Sequence, residues 1–237
     1  MKILIIGGGA GGASCAARLR RLDNSAEITV FEKTKETSVA SCGLPYYIGN
    51  VIAERGKMQV AAPDLFKNLF NIDVKTECEI TAVTPEKKTV TTADGKEYPY
   101  DKLVISSGAK PFVPPVAGLE KLPCFVVKHL SDADKIKDFI KHNAVQNAVV
   151  VGGGFIGVEV AENLNHLGIK TALVELSDQI LPPLDHDMVR PVQQKMKDQG
   201  IDLCLSDGLK EITEAGLILN SGKNIPAEMV ILAIGVR

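Results

Sequence analysis

Apolar positions in this chain come in short runs that end on glycine, and the same order of events occurs twice. Ile3–Ile6 is a run without polar alternation placed directly before Gly7, and Val149–Val151 stands the same way before Gly152. Short apolar runs bounded by glycine predict strands buried on both faces, the habit of a parallel sheet. Helix-forming sequence follows each glycine cluster, and then a second apolar run. Residues 2–33 therefore echo residues 147–178: Gly7, Gly9 and Gly12 align with Gly152, Gly154 and Gly157 at a constant offset, and both second strands end in an acidic residue.

Other segments keep a different period. Val74–Val83 and Lys88–Thr92 alternate like antiparallel strands, with Asp94-Gly95 as a turn signal. Leu103–Ser106 is a short apolar strand ending in Ser107-Gly108, and the proline-rich stretch Pro111–Gly118 suits a crossing between domains. A polar helix is expected around Ser131–His142, with Ser131 as N-cap and Asp132 and Asp134 in its first turn. Gly216–Leu219, Ser221-Gly222 and Met229–Ile234 predict a second small antiparallel insert and a final core strand. The pattern as a whole predicts an α/β chain of two tandem Rossmann-like domains, 1–115 and 116–237, each a parallel sheet with a small antiparallel insert.

Composition narrows the chemistry by exclusion. With 45% apolar residues in 237, two cores can be built. A formal charge of −2 gives no basic footprint for nucleic acid or an anionic membrane, and no apolar stretch approaches the length of a membrane span. Trp is absent, which leaves little for a base-stacking platform. The five cysteines (Cys15, Cys42, Cys78, Cys124, Cys204) are odd in number, scattered and without a CxxC pair, so neither a disulfide scaffold nor an ordinary zinc site is expected, and a reducing cytoplasm fits. The four histidines show no ligand spacing, and no metal is expected.

The two glycine clusters carry the first positive signal. In a G-x-G-x-x-G that follows a strand and opens a helix, the first glycine makes the tight turn. The second lets the backbone approach a diphosphate, and the third lets helix and strand pack closely. The diphosphate rests on free N–H groups at the helix N-terminus. Both copies have this context, with Ala10 and Gly11 inside the first motif and Phe155 and Ile156 inside the second. Glu32 and Glu175 end the second strands, where a carboxylate accepts bonds from an adenosine ribose. Glu175 would repel a 2′-phosphate, which favours NADH over NADPH, although a nearby Arg or Lys can accommodate the latter.

Two such units with a cysteine shortly after the first ribose carboxylate resemble the pyridine nucleotide–disulfide oxidoreductases. The segment Ser38-Val39-Ala40-Ser41-Cys42-Gly43-Leu44-Pro45-Tyr46-Tyr47 resembles the single-cysteine branch, which contains coenzyme A–disulfide reductase, NADH oxidase, NADH peroxidase and persulfide reductases. The resemblance implies FAD on the first fold and NADH (or NADPH) on the second, with Cys42 as the catalytic redox cysteine. Thr37 and Tyr47 stand where a CxxxxC partner would be, so the partner of Cys42 must be external, as a mixed disulfide or a sulfenic acid. Gly43-Leu44-Pro45 predicts a helix opening just after it, where a thiolate is favoured. By the same resemblance Lys33, Ser41, Ile80, Ser107, Gly108 and Gly235 join the glycines at the cofactors, and Ser14, Arg18, Arg21 and Ser38 join a coenzyme A site. Arg18, Arg20 and Arg21 form a basic cluster suited to phosphate, or else an ordinary solvated helix face.

The function implied is an FAD-dependent NAD(P)H oxidoreductase reducing a low-molecular-weight disulfide or persulfide. An NADH oxidase or peroxidase and a truncated, non-catalytic cofactor-binding module are the alternatives. Relatives of this kind return to the flavin domain after the nicotinamide domain and then dimerise. A homodimer is therefore expected of the full-length enzyme, and this sequence, closing on Ala233–Arg237 without a Gly-Asp segment, is expected to be its amino-terminal portion.

Overall fold

A computed structural model describes residues Met1–Val236. The chain divides into two compact units, the first made of Met1–Ala40 and Gly56–Gly108, the second of Ser41–Arg55 and the chain from Ala109 onward. The break falls at 108/109 rather than near 115, and the segment around Cys42 groups with the second unit.

In chain order the elements are β1 (Lys2–Ile6), α1 (Ala10–Leu22), β2 (Glu27–Phe31), α2 (Leu44–Ile48), α3 (Pro63–Phe70), β3 (Asp73–Lys75), β4 (Ile80–Thr84), β5 (Thr89–Thr92), β6 (Glu97–Pro99) and β7 (Lys102–Ile105). They continue with β8 (Cys124–Phe125), α4 (Leu130–Asn143), β9 (Asn147–Val151), α5 (Phe155–His166), β10 (Lys170–Val174), α6 (His186–Asp198) and β11 (Asp202–Cys204), and close with β12 (Leu209–Thr213), β13 (Gly216–Leu219), β14 (Asn224–Pro226) and β15 (Met229–Leu232).

The first unit has a parallel sheet in the order β3-β2-β1-β7 and an antiparallel sheet β4-β5-β6. The second has a parallel sheet β11-β10-β9-β15-β8 and an antiparallel sheet β12-β13-β14. Strand for strand the two units share one topology, with β8 as an extra edge in the second. The fold is therefore the α/β class read from the sequence, two Rossmann-like units each with a small antiparallel insert.

Two local expectations are corrected. The run Val74–Val83 is not one antiparallel strand: Val74 lies in β3, paired parallel with β2, and only the part from Ile80 onward joins the insert. The chain breaks at Glu77, which takes φ 53° and donates its N–H to the Thr34 carbonyl. The polar helix α4 starts one residue early, capped at His129 rather than Ser131, because the Asp132 carboxylate accepts the His129 N–H at 2.9 Å. A carboxylate at the third helical position satisfies an otherwise unpaired donor.

Each central strand is buried on both faces. Ile3 and Ile5 pack with Ala13, Ala16, Val30, Phe66 and Ile72, while Leu4 packs on the other side with Phe31 and Val90. Tyr98 closes that side edge-on to Phe31, ring centroids 4.9 Å apart. In the second unit Val149, Val151, Val174, Val230 and Leu232 lie under Ile212, Leu217, Leu219 and Ile225 of the insert. Each fully buried side chain of this size stabilises the fold by about 1.5–3 kcal/mol.

Candidate functional site

The glycines do in both units what their spacing demands. Gly7 and Gly152 take φ of 101° and 109°, open to glycine at little cost. A Cβ on them would fall 2.1 Å from the Ser106 carbonyl oxygen and 2.5 Å from that of Ala233. A Cβ on Gly12 or Gly157 would fall 1.8 or 1.9 Å from the carbonyl oxygen of Gly7 or Gly152, so helix and turn touch without room for a methyl. Gly9 and Gly154 have nothing within 4 Å of that position. They cap α1 and α5 without a side-chain bond, and neither helix has an acidic residue in its first turn. Open space therefore lies beside the glycine that starts each helix, at the positive end of the helix dipole, where an anion is favoured.

The carboxylates have a role beyond the one read from sequence. Glu32 Oε2 accepts the N–H of Gly8 at 2.7 Å, and its Oε1 accepts the N–H and hydroxyl of Thr34 at 2.8 and 2.7 Å. Glu175 repeats this: Oε2 accepts the Gly153 N–H at 2.6 Å and Oε1 accepts the Ser177 N–H at 2.8 Å. The carbonyls of the same glycines are also held, Gly8 by the Ser38 N–H at 2.8 Å and Gly153 by the Leu181 N–H at 2.7 Å. Ser38 and Leu181 each stand six residues after the glutamate, and both take left-handed φ, 50° and 49°. Each middle glycine is thus gripped from both sides. Sequence reading missed this grip because main-chain donors leave no side-chain signature; the shared offset from the glutamate was the one available clue. Carboxylate oxygens carry further lone pairs, so both glutamates can still accept from a ribose.

The other expected residues are distributed as follows. Ala10 and Gly11 are exposed in the first turn of α1, and Phe155 and Ile156 in that of α5. Lys33 is exposed beside Glu32, and Ser107 and Gly108 are exposed after β7. Ile80 is half-buried against Leu4 and Phe31. Gly235, at φ 107°, accepts the Phe112 N–H through its carbonyl. Ser14, Arg18 and Arg21 are exposed at positions that share a face of α1.

Arg20 does not belong with that basic face. It is buried, and its guanidinium donates to the carbonyls of Phe70, Asp23, Asn24, Ala26 and Asn71 at 2.7–3.1 Å. Those bonds use the full donor set of an arginine. Ser38, apart from gripping Gly8, is half-buried and accepts the Val60 N–H.

Ser41 and Cys42 stand in the second unit, in a short turn (Ser41–Gly43) that leads into α2. The helix expected after Cys42 is present but only five residues long. It is tied to α4 by polar contacts. The Tyr47 hydroxyl donates to Asp134 at 3.0 Å, Arg55 pairs with Asp134 at 2.9 Å, and Lys137 donates to the Tyr47 carbonyl at 2.7 Å. The Lys137 ammonium also lies 4.5 Å from the Tyr47 ring centroid. Burial, then Asp134, raises the Tyr47 pKa, and burial lowers that of Lys137. A Cβ on Gly49 would fall 2.3 Å from Asn163 Oδ1, so α2 also needs a glycine to pack on α5. The Tyr46 hydroxyl sits 3.4 Å from Glu159, whose charge raises its pKa. Cys42 is exposed, Cys204 is buried, and Cys15, Cys78 and Cys124 lie between. Burial raises the thiols of Cys78, Cys124 and Cys204.

The chain was compared with known proteins. A family model described as pyridine nucleotide-disulphide oxidoreductase matches residues 1–237. A coenzyme A disulfide reductase of Staphylococcus aureus (strain NCTC 8325 / PS 47) is 36% identical over 241 residues, covering 100% of this chain and 54% of the relative. The crystal structure of reduced Bacillus anthracis CoADR-RHD aligns with TM-score 0.95 at 42% identity, over 100% of this chain and 44% of that one. A NAD-dependent persulfide reductase from A. fulgidus aligns with TM-score 0.94 at 35% identity, over 100% of this chain and 46% of that one. The chain spans about half the length of the curated relatives it matches.

Proposed function

We propose, from the premise that the chain belongs to the pyridine nucleotide-disulphide oxidoreductase family, that it serves an FAD-dependent NAD(P)H oxidoreductase that reduces a low-molecular-weight disulfide or persulfide at Cys42. The observation that carries this reading is the exposed Cys42, set in a turn without a second cysteine at the CxxxxC spacing. Similarity to a coenzyme A disulfide reductase and to a persulfide reductase supports the substrate class.

Both loops fit a dinucleotide, because each combines an open glycine, free helix-terminal donors and a carboxylate. FAD is assigned to Gly7, Gly9, Ala10, Gly11, Gly12, Glu32, Lys33, Ser41, Ile80, Ser107 and Gly108. The nicotinamide nucleotide is assigned to Gly152, Gly154, Phe155, Ile156, Gly157, Glu175 and Gly235, with Glu175 favouring NADH by repelling a 2′-phosphate. When bound, FAD supplies two-electron transfer between a reduced nicotinamide and a sulfur acceptor. Cys42, as thiolate, attacks one sulfur of the substrate disulfide. The S–S bond breaks, a mixed disulfide forms on Cys42, and the other half leaves as a thiolate that water protonates. Arg18 and Arg21, with Ser14 and Ser38, hold the phosphates of a coenzyme A moiety. The full enzyme works as a homodimer in a reducing cytoplasm.

Peptide mapping after incubation with FAD, NADH and coenzyme A disulfide tests the reading. A coenzyme A adduct on Cys42, and NADH-dependent thiol release that falls to background in Cys42→Ser, are expected. Dimedone labelling of Cys42 without that adduct would assign an oxidase or peroxidase cycle through sulfenic acid instead. A bound flavin that NADH fails to reduce would leave a cofactor-binding module.

A further inference from the structure

One cluster of nucleophilic and charged groups takes no part in the reading above. Cys204 ends β11 and is 6% exposed, its side chain packed on the face that the β12-β13-β14 sheet covers. Lys223, between β13 and β14, reaches back across it. Its Nζ lies 3.1 Å from Cys204 Sγ and 2.9 Å from Asp202 Oδ2, and Sγ lies 3.7 Å from the same carboxylate oxygen. A thiol, an amine and a carboxylate therefore meet, drawn from two different sheets.

The hairpin that carries the lysine is fixed. The Leu219 N–H donates to the Lys223 carbonyl at 2.9 Å, and Asp207 accepts the N–H and hydroxyl of Ser221 at 3.1 and 2.5 Å. The far side of the cluster is wet, since the side chains of Lys223 and Asp202 are 48% and 55% exposed. A water-sized oxidant can approach along them.

We propose that Cys204 and Lys223 form an oxidation-sensitive pair, in which peroxide converts the thiol to a sulfenic acid and the lysine amine closes a covalent sulfur–nitrogen link. In the first step the peroxide O–O bond breaks, Cys204–SH becomes Cys204–SOH, and one water leaves; sulfur loses two electrons and peroxide gains them. In the second step the ammonium passes a proton to Asp202 and on to solvent. The free Nζ lone pair attacks sulfur, the S–O bond breaks, and the hydroxyl leaves as water with the one proton that nitrogen releases. The product is Cys204–S–NH–Lys223, two hydrogens lighter than the reduced pair. Sulfenic acids condense with nitrogen in this way where one is held in contact. A thiol reductant restores both side chains, supplying two electrons and leaving as its disulfide.

Burial raises the Cys204 thiol's pKa and the Lys223 ammonium opposes it, so the reaction is slower than oxidation of a solvent-exposed cysteine. The Cys204 carbonyl accepts the Glu175 N–H at 2.9 Å. The link would therefore brace the strand end beside the second loop's carboxylate against the insert. None of this depends on what Cys42 does.

Peroxide treatment followed by peptide mapping under non-reducing conditions tests the pair. In the unaltered chain, the Cys204 peptide is expected joined to the Lys223 peptide, two hydrogens below their summed mass and separated again by dithiothreitol. In Lys223→Arg, which keeps the charge but lacks a nucleophilic amine, the link should be absent and dimedone should label Cys204. Three results on the unaltered chain would each overturn the proposal: dimedone labelling of Cys204 equal to that of the variant, a sulfinic acid there without any link, or an unmodified Cys204 under peroxide that fully oxidises Cys42.

Discussion

The nucleotide loop of the first unit and that of the second are held alike, while the helices that leave them finish differently. In each loop a glutamate takes the middle glycine's N–H, and a left-handed residue six positions on takes its carbonyl. The start of each central strand is clasped alike too. Asp101 accepts the Lys2 N–H at 2.6 Å, and Glu228 accepts the Asn147 N–H at 2.7 Å; each acid donates its own N–H back to the same residue's carbonyl. The far ends of the helices differ. The end of α1 is held by the buried Arg20 guanidinium, whereas the end of α5 runs into Gly168 at φ 80° with the Ile169 N–H on the Leu164 carbonyl. Where one ligand chemistry is served, backbone geometry repeats bond for bond. Where only carbonyls need satisfying, any donor suffices.

The largest expected effect breaks the symmetry on purpose. Arg20→Met leaves five carbonyls without their donor and should cost the first unit about 3–5 kcal/mol. Hydrogen exchange resolved by segment should show β1, β2 and α1 losing protection while β9 and β10 keep theirs. Equal loss in both units would mean that the cage is not local. Gly12→Ala and Gly157→Ala should instead act equally, each costing about 1–3 kcal/mol, because each methyl meets a carbonyl at nearly the same distance. Urea midpoints of the two variants check this; a tolerated alanine in one unit alone would show that its helix can slide.

How much of this the sequence discloses depends on which atoms carry the contact. The glycines and both glutamates are legible, because steric demand and charge fix the residue type at those positions. The apolar runs disclose the parallel strands around each glycine loop and the alternating segments disclose both inserts, but the parallel strand at Val74 reads as antiparallel in sequence. Arg20 reads as one of a basic cluster, since a buried guanidinium on carbonyls looks the same in sequence as a solvated one. The attachment of residues 41–55 to the second unit is hidden as well. It depends on Tyr47, Asp134 and Lys137 meeting across some ninety positions, and no local pattern encodes such a meeting.

The left-handed residues sharpen the comparison further, because their side chains differ. Ser38 is half-buried, and Ser38→Gly relieves a conformation that costs a non-glycine residue about 1 kcal/mol while adding similar freedom to the unfolded chain. It should be near neutral. Leu181 is 6% exposed, so Leu181→Gly gives the same relief but removes a buried side chain, for a net loss of about 1–2 kcal/mol. Thermal midpoints of the two variants should therefore separate. If they move together, the leucine side chain contributes nothing to holding its N–H on Gly153.

The smallest effect concerns the strand-start clasp. The N–H groups of Asn147 and Gln146 lower the Glu228 pKa, with the Asn147 main chain the larger cause. A carboxylate depressed in the folded state adds stability that is present above its unfolded value, about 4.3 for glutamate, and is lost as pH falls through the lower folded value. Because Glu228 is exposed, that contribution is a few tenths of a kcal/mol after solvent screening. Glu228→Gln should therefore be slightly less stable than the unaltered chain near neutral pH, and the gap should close in the acid range below the ordinary glutamate value. Unfolding midpoints measured across that range check the sign. A gap that widens on acidification would show that the two N–H groups do not favour the ionised side chain, and that the clasp rests on the reciprocal main-chain bond alone.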